Sequence, residues 1–402
     1  MNILRPSQEQ GAAWLAAHRR AYLGDKPGFG KTPQLITAAN RVGAEQPLVI
    51  CPAIARDMWS RQWKRWGLPS VTPRVISYDA LTRLEGVVEP HDLLILDEAQ
   101  YCKYMNAKRT RYAMRLANRA PRVWLASGTP QPNHVGNLYP MLRAVWPDLL
   151  KTHGVRSYGD YLARYAVTIE TQYGIKVVGV QNTAELREML DVIMLRRTED
   201  EGLPPLRFEE FWLPFDPALP MEVLEAGVAA RDWQDEIPAD AAHATARRML
   251  GALKAVPVGE LIAQELEDGA YQKIVVGAYH HGVIDGLWTL LKPYGAVVVS
   301  GRTRPEHRRS RIAQFQSDPS ARVFIGQLTA CGTSIDLFAA TEVALVEQSW
   351  APDDNFQFCK RVHRTGQTSS VRVRSFYADC DLDEGVARVL ARKTRLNGEV
   401  LY

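Results

Sequence analysis

Short apolar runs, separated by longer mixed stretches, set the rhythm of this chain. Ala21–Gly24, Pro47–Cys51, Asp92–Leu96 and Arg122–Ala126 are strand candidates of this kind. They lack the clean alternation of a sheet with one wet face, as expected for strands covered on both sides. Between them, Thr32–Arg41 and Arg56–Trp66 read as helices. Strand–helix alternation of this sort predicts a parallel sheet. A second series follows residue 270, with Lys273–Ala278, Gly295–Ser300, Arg322–Gln327, Glu342–Glu347 and Val371–Phe376. The architecture repeats although the sequence does not, so two similar α/β lobes are expected.

The middle of the chain breaks the rhythm. Residues 135–200 are rich in Tyr, Leu and Arg and read as helical decoration on the first lobe. Residues 216–265 are Ala-rich and read as helical, ending at Ala255–Pro257. The expected division is a first lobe over 1–205, a helical linker and protrusion over 206–265, and a second lobe over 266–402. Trp59, Trp63 and Trp66 recur at helical spacing and are expected to pack the lobe rather than to stack bases.

Composition narrows the class without changing this picture. Of 402 residues, 46% are apolar and 23% charged, a globular balance in a chain long enough to bury a core without staples. A net charge of +4 allows an anionic partner without requiring one. The clusters Arg302–Arg311 and Arg361–Arg374 say more, because they adjoin the motifs below. Five scattered cysteines, none in C-x-x-C spacing, suit a reducing compartment. With no signal peptide and no membrane-length apolar run, the expected location is cytoplasmic, in a bacterium or a virus-infected host.

Three segments carry chemistry. Gly24–Thr32, GDKPGFGKT, lies between a strand and a helix. Its glycines let backbone N–H groups face a phosphate, and the helix N-terminus adds a positive dipole end. Lys31 is expected on the β- and γ-phosphates of ATP and the Thr32 hydroxyl on Mg2+. The strict pattern wants glycine at position 25, where this chain has Asp25; Gly28, Gly30, Lys31 and Thr32 carry the motif. Leu93–Gln100, LLILDEAQ, places Asp97 and Glu98 at the carboxyl end of a buried strand, where ligands of open α/β sheets sit. Asp97 is expected to hold Mg2+ through its water shell, and Glu98 to orient and deprotonate the attacking water. In Gln357–Gln367, QFCKRVHRTGQ, Arg361 and Arg364 are three apart and are expected on one helical face. Such arginines serve either as fingers that neutralise γ-phosphate charge or as a basic face for solvent or nucleic acid; the segment alone leaves both open. Ser127–Pro130, SGTP, is a tight turn with hydroxyls placed to bond the Asp97 neighbourhood and the opposite lobe.

Taken together, and in this order, these segments resemble the Swi/Snf-related branch of superfamily two helicases, from about residue 4 to about residue 380. Leu4-Arg5-Pro6-Ser7-Gln8 with Gly11 looks like the family's opening motif. LVICP at Leu48–Pro52, SYDAL at Ser77–Leu81, and MLRR at Met194–Arg197 followed by LPP at Leu203–Pro205 follow the same plan. Thr303, Arg308 and Phe315 fit the G-x-T…R…F spacing, and Trp350, Pro352 and Gln357 fit W-x-P…Q. VHRTGQTSSV at Val362–Val371 is nearest the annealing-helicase subgroup. The resemblance implies two RecA-like parallel-sheet lobes in tandem. It implies a nucleic-acid-stimulated ATPase with Arg5, Gln8 and Gln357 at the nucleotide, Gln8 contacting adenine. It also implies Pro52, Thr303 and Thr329 at DNA grip positions, with Arg302 and Arg304 as support. Lys26-Pro27, Gln100, Cys331, Ser334 and Asp336 depart from the family pattern. Asp336, which replaces an asparagine, adds negative charge near ATP or DNA phosphate.

The expected activity is ATP-driven movement of a monomeric motor on double-stranded or forked DNA, with strand annealing as a related outcome. The protein recruiter is not legible. A strand-separating helicase on single-stranded DNA or RNA, and an ATP-gated nucleic-acid clamp, are the competing readings. A metal-dependent nuclease is disfavoured, because no further acidic-Lys cluster lies outside the ATP motifs.

Overall fold

In the computed structural model, which describes residues 3–130, 134–171, 174–198, 203–214, 219–233, 240–331, 335–364 and 366–401, the apolar runs are strands buried on both faces. The first sheet holds β1 (Arg20–Leu23), β2 (Pro47–Cys51), β3 (Arg74–Ser77), β4 (Leu93–Asp97), β5 (Arg122–Ala126) and, past an antiparallel hairpin of β6 (Ala166–Thr171) and β7 (Gly174–Val180), β8 (Met194–Leu195). Its order is β3-β2-β4-β5-β1-β8, and every pairing is parallel. Apolar cores cover both faces. One gathers Leu94, Leu96, Val123 and Leu125. The other gathers Val49, Ile95 and Trp124 with Trp59 and Trp63, which are lobe packing as expected.

The second sheet holds β9 (Leu206–Leu213), β10 (Ile274–Ala278), β11 (Ala296–Val299), β12 (Val323–Gln327), β13 (Glu342–Leu345) and β14 (Val371–Ala378). Its order is β11-β12-β10-β13-β14-β9, again parallel throughout. Two cores again flank it, around Val276 and Ile325 on one side and Val275 and Phe324 on the other. These are two parallel α/β lobes of like architecture. The compact units run over Met1–Glu201 with Arg395–Tyr402, and over Gly202–Thr394.

Several expectations change. The decoration over 135–200 is helical at Tyr139–Val145, Pro147–Thr152, Tyr158–Tyr165 and Thr183–Ile193, but it also contains the β6–β7 hairpin. Residues 206–265 supply the edge strand β9 and helices Met221–Ala230 and Ala241–Glu267 to the second unit. The latter helix does not stop at Pro257 but runs through it. A mid-helix proline costs about 3 kcal/mol. Here Val258, Ile262 and Leu266, beyond the proline, are buried in the core beneath β10, and that burial offsets the loss.

Candidate nucleotide site and arginine turn

Strands β4, β5 and β1 are neighbours, so their carboxyl ends open on one edge of the first sheet. Asp97 is level with Ala126, and Ala126 with Leu23. The carboxylate pair, the SGTP turn and the phosphate loop leave the sheet from these three adjacent ends.

The loop bends at Gly28 and Gly30, whose φ values of 104° and 69° suit glycine. Gly30 caps the helix Lys31–Arg41, which puts Lys31 and Thr32 at its first turn. Lys31 Nζ donates to the Asp25 carbonyl at 2.8 Å. Asp25 lies outside the left-handed region, so its backbone does not need the glycine of the strict motif. Its side chain is fully buried and has a structural task. Arg197 Nε donates to Asp25 Oδ1 at 3.0 Å, Arg197 Nη2 pairs with Oδ2, and the Arg197 amide donates to Oδ1 at 3.0 Å. Arg197 Nη2 also reaches Gln34 Oε1 at 2.9 Å, and Nη1 donates to the Ser7 carbonyl. Arg5 Nη2 donates to the carbonyls of Gly28 (3.3 Å) and Phe29 (3.0 Å). Gln8 Nε2 donates to Phe29 O at 3.2 Å. Arg5 and Gln8 thus brace the phosphate loop through its carbonyls.

Asp97 is buried at the end of β4. Trp59 Nε1 donates to its Oδ2 at 2.7 Å, the Tyr78 hydroxyl to its carbonyl at 2.9 Å, and the Glu98 amide to its Oδ1 at 3.1 Å. Burial, and then the charge of Glu98, push the Asp97 carboxyl up to about 7, while the Trp59 bond and the Lys31 ammonium pull it down. The Lys31 effect means that phosphate loop and carboxylate pair share one electrostatic neighbourhood. Glu98 sits at φ 51°, a left-handed conformation uncommon outside glycine, of the kind found at functional sites. Gln100 Nε2 donates to Glu98 Oε2 at 2.7 Å, Ser127 Oγ donates to Gln100 Oε1 at 2.6 Å, and the Thr129 amide donates to Ser127 Oγ at 2.9 Å. A Cβ on Gly128 would stand 2.7 Å from Pro27 Cγ, so the SGTP turn abuts the phosphate loop. The expected link between this turn and the Asp97 neighbourhood is present, and Gln100 is its bridge. Pro52, buried, leads from β2 into the short turn Ala53–Ala55. Sequence reasoning missed Trp59, Gln100 and Arg197 as parts of the site. For Arg197 the signal was present in MLRR beside an unexplained Asp25.

In the second unit, Thr303 closes a turn after β11. The Ser300 amide donates to Thr303 Oγ1 at 3.0 Å, and the Thr303 amide returns to Ser300 O at 3.0 Å. The Gly301 amide donates to Gln327 Oε1 at 2.8 Å. Arg308 joins Ser300 O (3.1 Å) to Ala330 O (3.4 Å), which ties this turn to the short helix Leu328–Cys331 bearing exposed Thr329. Arg302 is exposed and lies 3.4 Å from Asp285.

The arginine segment differs from expectation. The helix Pro352–Cys359 ends before it, so Arg361 and Arg364 lie on a turn rather than on one helical face. Local bonds carry the backbone on from the helix, with Arg361 N to Phe358 O and Val362 N to Cys359 O both at 3.0 Å, and contacts across the chain join them. The Leu337 amide donates to Arg361 O at 2.8 Å, and Gln367 Nε2 donates to the carbonyls of Phe338 (3.1 Å) and Ala340 (2.8 Å). Arg361 is buried, and its Nε donates to the carbonyl of buried Gln357 at 3.1 Å. Arg364 Nη1 donates to Ile335 O at 3.0 Å and pairs with Asp336 Oδ1. Ser334 lies outside the described residues.

Two parallel-sheet units, one presenting a glycine loop and a carboxylate pair on one sheet edge either side of β5, define a tandem α/β class of protein. Residues 75–216 match the SNF2-related domain. The chain is 27% identical to the Xenopus tropicalis SWI/SNF-related matrix-associated actin-dependent regulator of chromatin subfamily A-like protein 1, over 98% of this chain and 45% of the relative. It is also 27% identical to the mouse DNA annealing helicase and endonuclease ZRANB3, over 99% of this chain and 41% of the relative. The chain therefore spans less than half of either relative. A solved structure, the Sulfolobus solfataricus SWI2/SNF2 ATPase core in complex with dsDNA, aligns with a TM-score of 0.46 and 21% identity, over 99% of this chain and 92% of that one.

Proposed function

We propose that the chain is an ATP-hydrolysing motor that moves along double-stranded or forked DNA. The observation that carries the reading is that the phosphate loop leaving β1 and the carboxylate pair ending β4 open on one edge of one sheet, either side of β5, with the Lys31 ammonium lowering the Asp97 carboxyl. Lys31 takes the β- and γ-phosphates, and Glu98, held by Gln100, orients and deprotonates the attacking water. Arg361 and Arg364 neutralise charge on the γ-phosphate, a contribution of about 10³- to 10⁵-fold where arginine fingers have been measured. Gln8 meets adenine, with Arg5 and Gln357 beside the nucleotide. The donor set suits a cation: Asp97 and Glu98 are consecutive carboxylates at the end of β4, and Thr32 supplies a hydroxyl in the first turn of the helix after the loop. Mg2+ held there would neutralise phosphate charge.

DNA is the expected track because the mouse relative is named a DNA annealing helicase. Pro52, Arg302, Thr303 and Thr329 are its contacts, made largely to phosphates because a motor cannot depend on sequence. ATP drives movement only through its differential affinity for two states of the motor. The five cysteines are free thiols, and no described helix is long and apolar enough to cross a membrane.

The test is the ATPase rate with duplex, forked, single-stranded and RNA cofactors across salt, together with triplex-strand displacement. Duplex or forked DNA should stimulate most and displacement should follow. Lys31→Ala and Glu98→Gln should each abolish hydrolysis, and substantial activity in either would show the site misassigned. Preference for a tailed single strand would favour an unwinder, and slow turnover without displacement a clamp.

A further inference from the structure

We propose that Asp336 is a positioning residue that engages Arg364 in competition with phosphate and thereby limits the rate of hydrolysis. The inference rests on the finger reading of Arg364 given above.

The Nη1 end of the Arg364 guanidinium is occupied twice, by the Ile335 carbonyl at 3.0 Å and by the Asp336 carboxylate. Both anchors sit on a firm mount. Ile335 and Leu337, on either side of Asp336, are buried in the core beneath β10 and β13, and the Leu337 amide is bonded to Arg361 O at 2.8 Å. Asp336 therefore does not drift with its partner. While these contacts hold, Nη1 is engaged and the two-pronged fork that includes it is not offered to phosphoryl oxygens.

The restraint is partial. The Arg364 and Asp336 side chains keep 29% and 54% of their exposure, so water competes with the pair and salt screens it. A pair of this kind changes an equilibrium by about two- to fivefold. The carboxylate also places a negative charge beside the group meant to receive the γ-phosphate. Its removal acts in the same direction as release of the arginine. Asp336→Asn keeps the size of the side chain and one acceptor oxygen, and removes only the charge. Thermal unfolding of each variant controls for a folding defect.

The experiment compares wild type, Asp336→Asn, Arg364→Ala and the double variant in the full chain. The readout is the kcat of ATP hydrolysis at saturating ATP, Mg2+ and duplex DNA. Asp336→Asn should raise kcat about two- to fivefold, a gain that structural damage does not produce. The ratio of variant to wild type should fall toward one as salt rises from about 0.05 to about 0.5 M. In the Arg364→Ala background the same substitution should give no gain, because the two residues act as one unit. Arg364→Ala hydrolysing at the wild-type rate would refute the finger reading, and the proposal with it. An impaired Arg364→Ala beside an Asp336→Asn at or below wild type would overturn the proposal alone. So would a gain that persists without Arg364.

Discussion

The Asp25–Arg197 pair makes the sharpest energetic prediction. Asp25 is fully buried, and only 16% of the Arg197 side chain is exposed. Arg197→Ala removes the Nε bond of 3.0 Å and the Nη2 contact, leaving the carboxylate with the residue 197 amide and Gln34 Nε2 at 3.4 Å. It also strips the partners of Gln34 Oε1 and Ser7 O. A buried charge deprived of its partner costs about 3–5 kcal/mol, against about 0–1 kcal/mol for an exposed pair. In a unit of about 200 residues that corresponds to a fall in melting temperature of about 6–20 °C. Removing both charges with Asp25→Asn and Arg197→Met should recover most of the loss, because no uncompensated ion remains. The assay is denaturant unfolding followed by hydrogen exchange in β1 and β5, which isolates the first unit. A loss under about 1 kcal/mol in Arg197→Ala, or a double variant as unstable as the two single losses added, would refute the reasoning.

Two further outcomes follow from the same edge of the sheet. The Asp97 carboxyl stands above its usual 3.8, so between about pH 4 and 7 the folded chain keeps a proton that the unfolded chain has released. The stability this contributes is present at acid pH and lost as pH rises through about 7. Without Mg2+ or nucleotide, urea unfolding from about pH 5 to pH 8 should therefore show a falling stability that Asp97→Asn flattens; parallel profiles would count against it. Gly128→Ala puts a methyl 2.7 Å from Pro27 Cγ. It should shift the phosphate loop and raise KM for ATP several-fold with little loss of DNA binding, and an unchanged KM would show that the turn does not set the loop's position.

The strands were legible because a strand covered on both faces must be apolar along its length, as β2 and β10 are throughout and β4, β5 and β12 are but for one terminal residue each, Asp97, Arg122 and Gln327. The phosphate loop and carboxylate pair were legible because their chemistry admits few residue types at fixed spacing. Edge strand β9 was missed: LRFEEFWL carries three charges and buries its residues only in part. Pairs that join distant positions were also missed. Trp59 and Asp97 lie 38 residues apart, and Asp25 and Arg197 lie 172 apart. Local pattern encodes which face of an element is apolar, but not which polar tip will meet which. The arginine turn was misread for the same reason, since Leu337 and the Gln367 side chain join the local bonds that hold its backbone beyond the helix end.

Strand β9 is the point at which the chain enters the second unit, and it lies parallel to β14 over eight residue pairs from Leu206 to Leu213. Tension arriving from its amino end acts along the strand and across the rungs of that ladder. The rungs are sheared together rather than peeled one after another. A peptide entering in this way resists extraction far better than one tugged from the tip of a hairpin, so a pulling experiment should find this junction among the last parts of the second unit to give way.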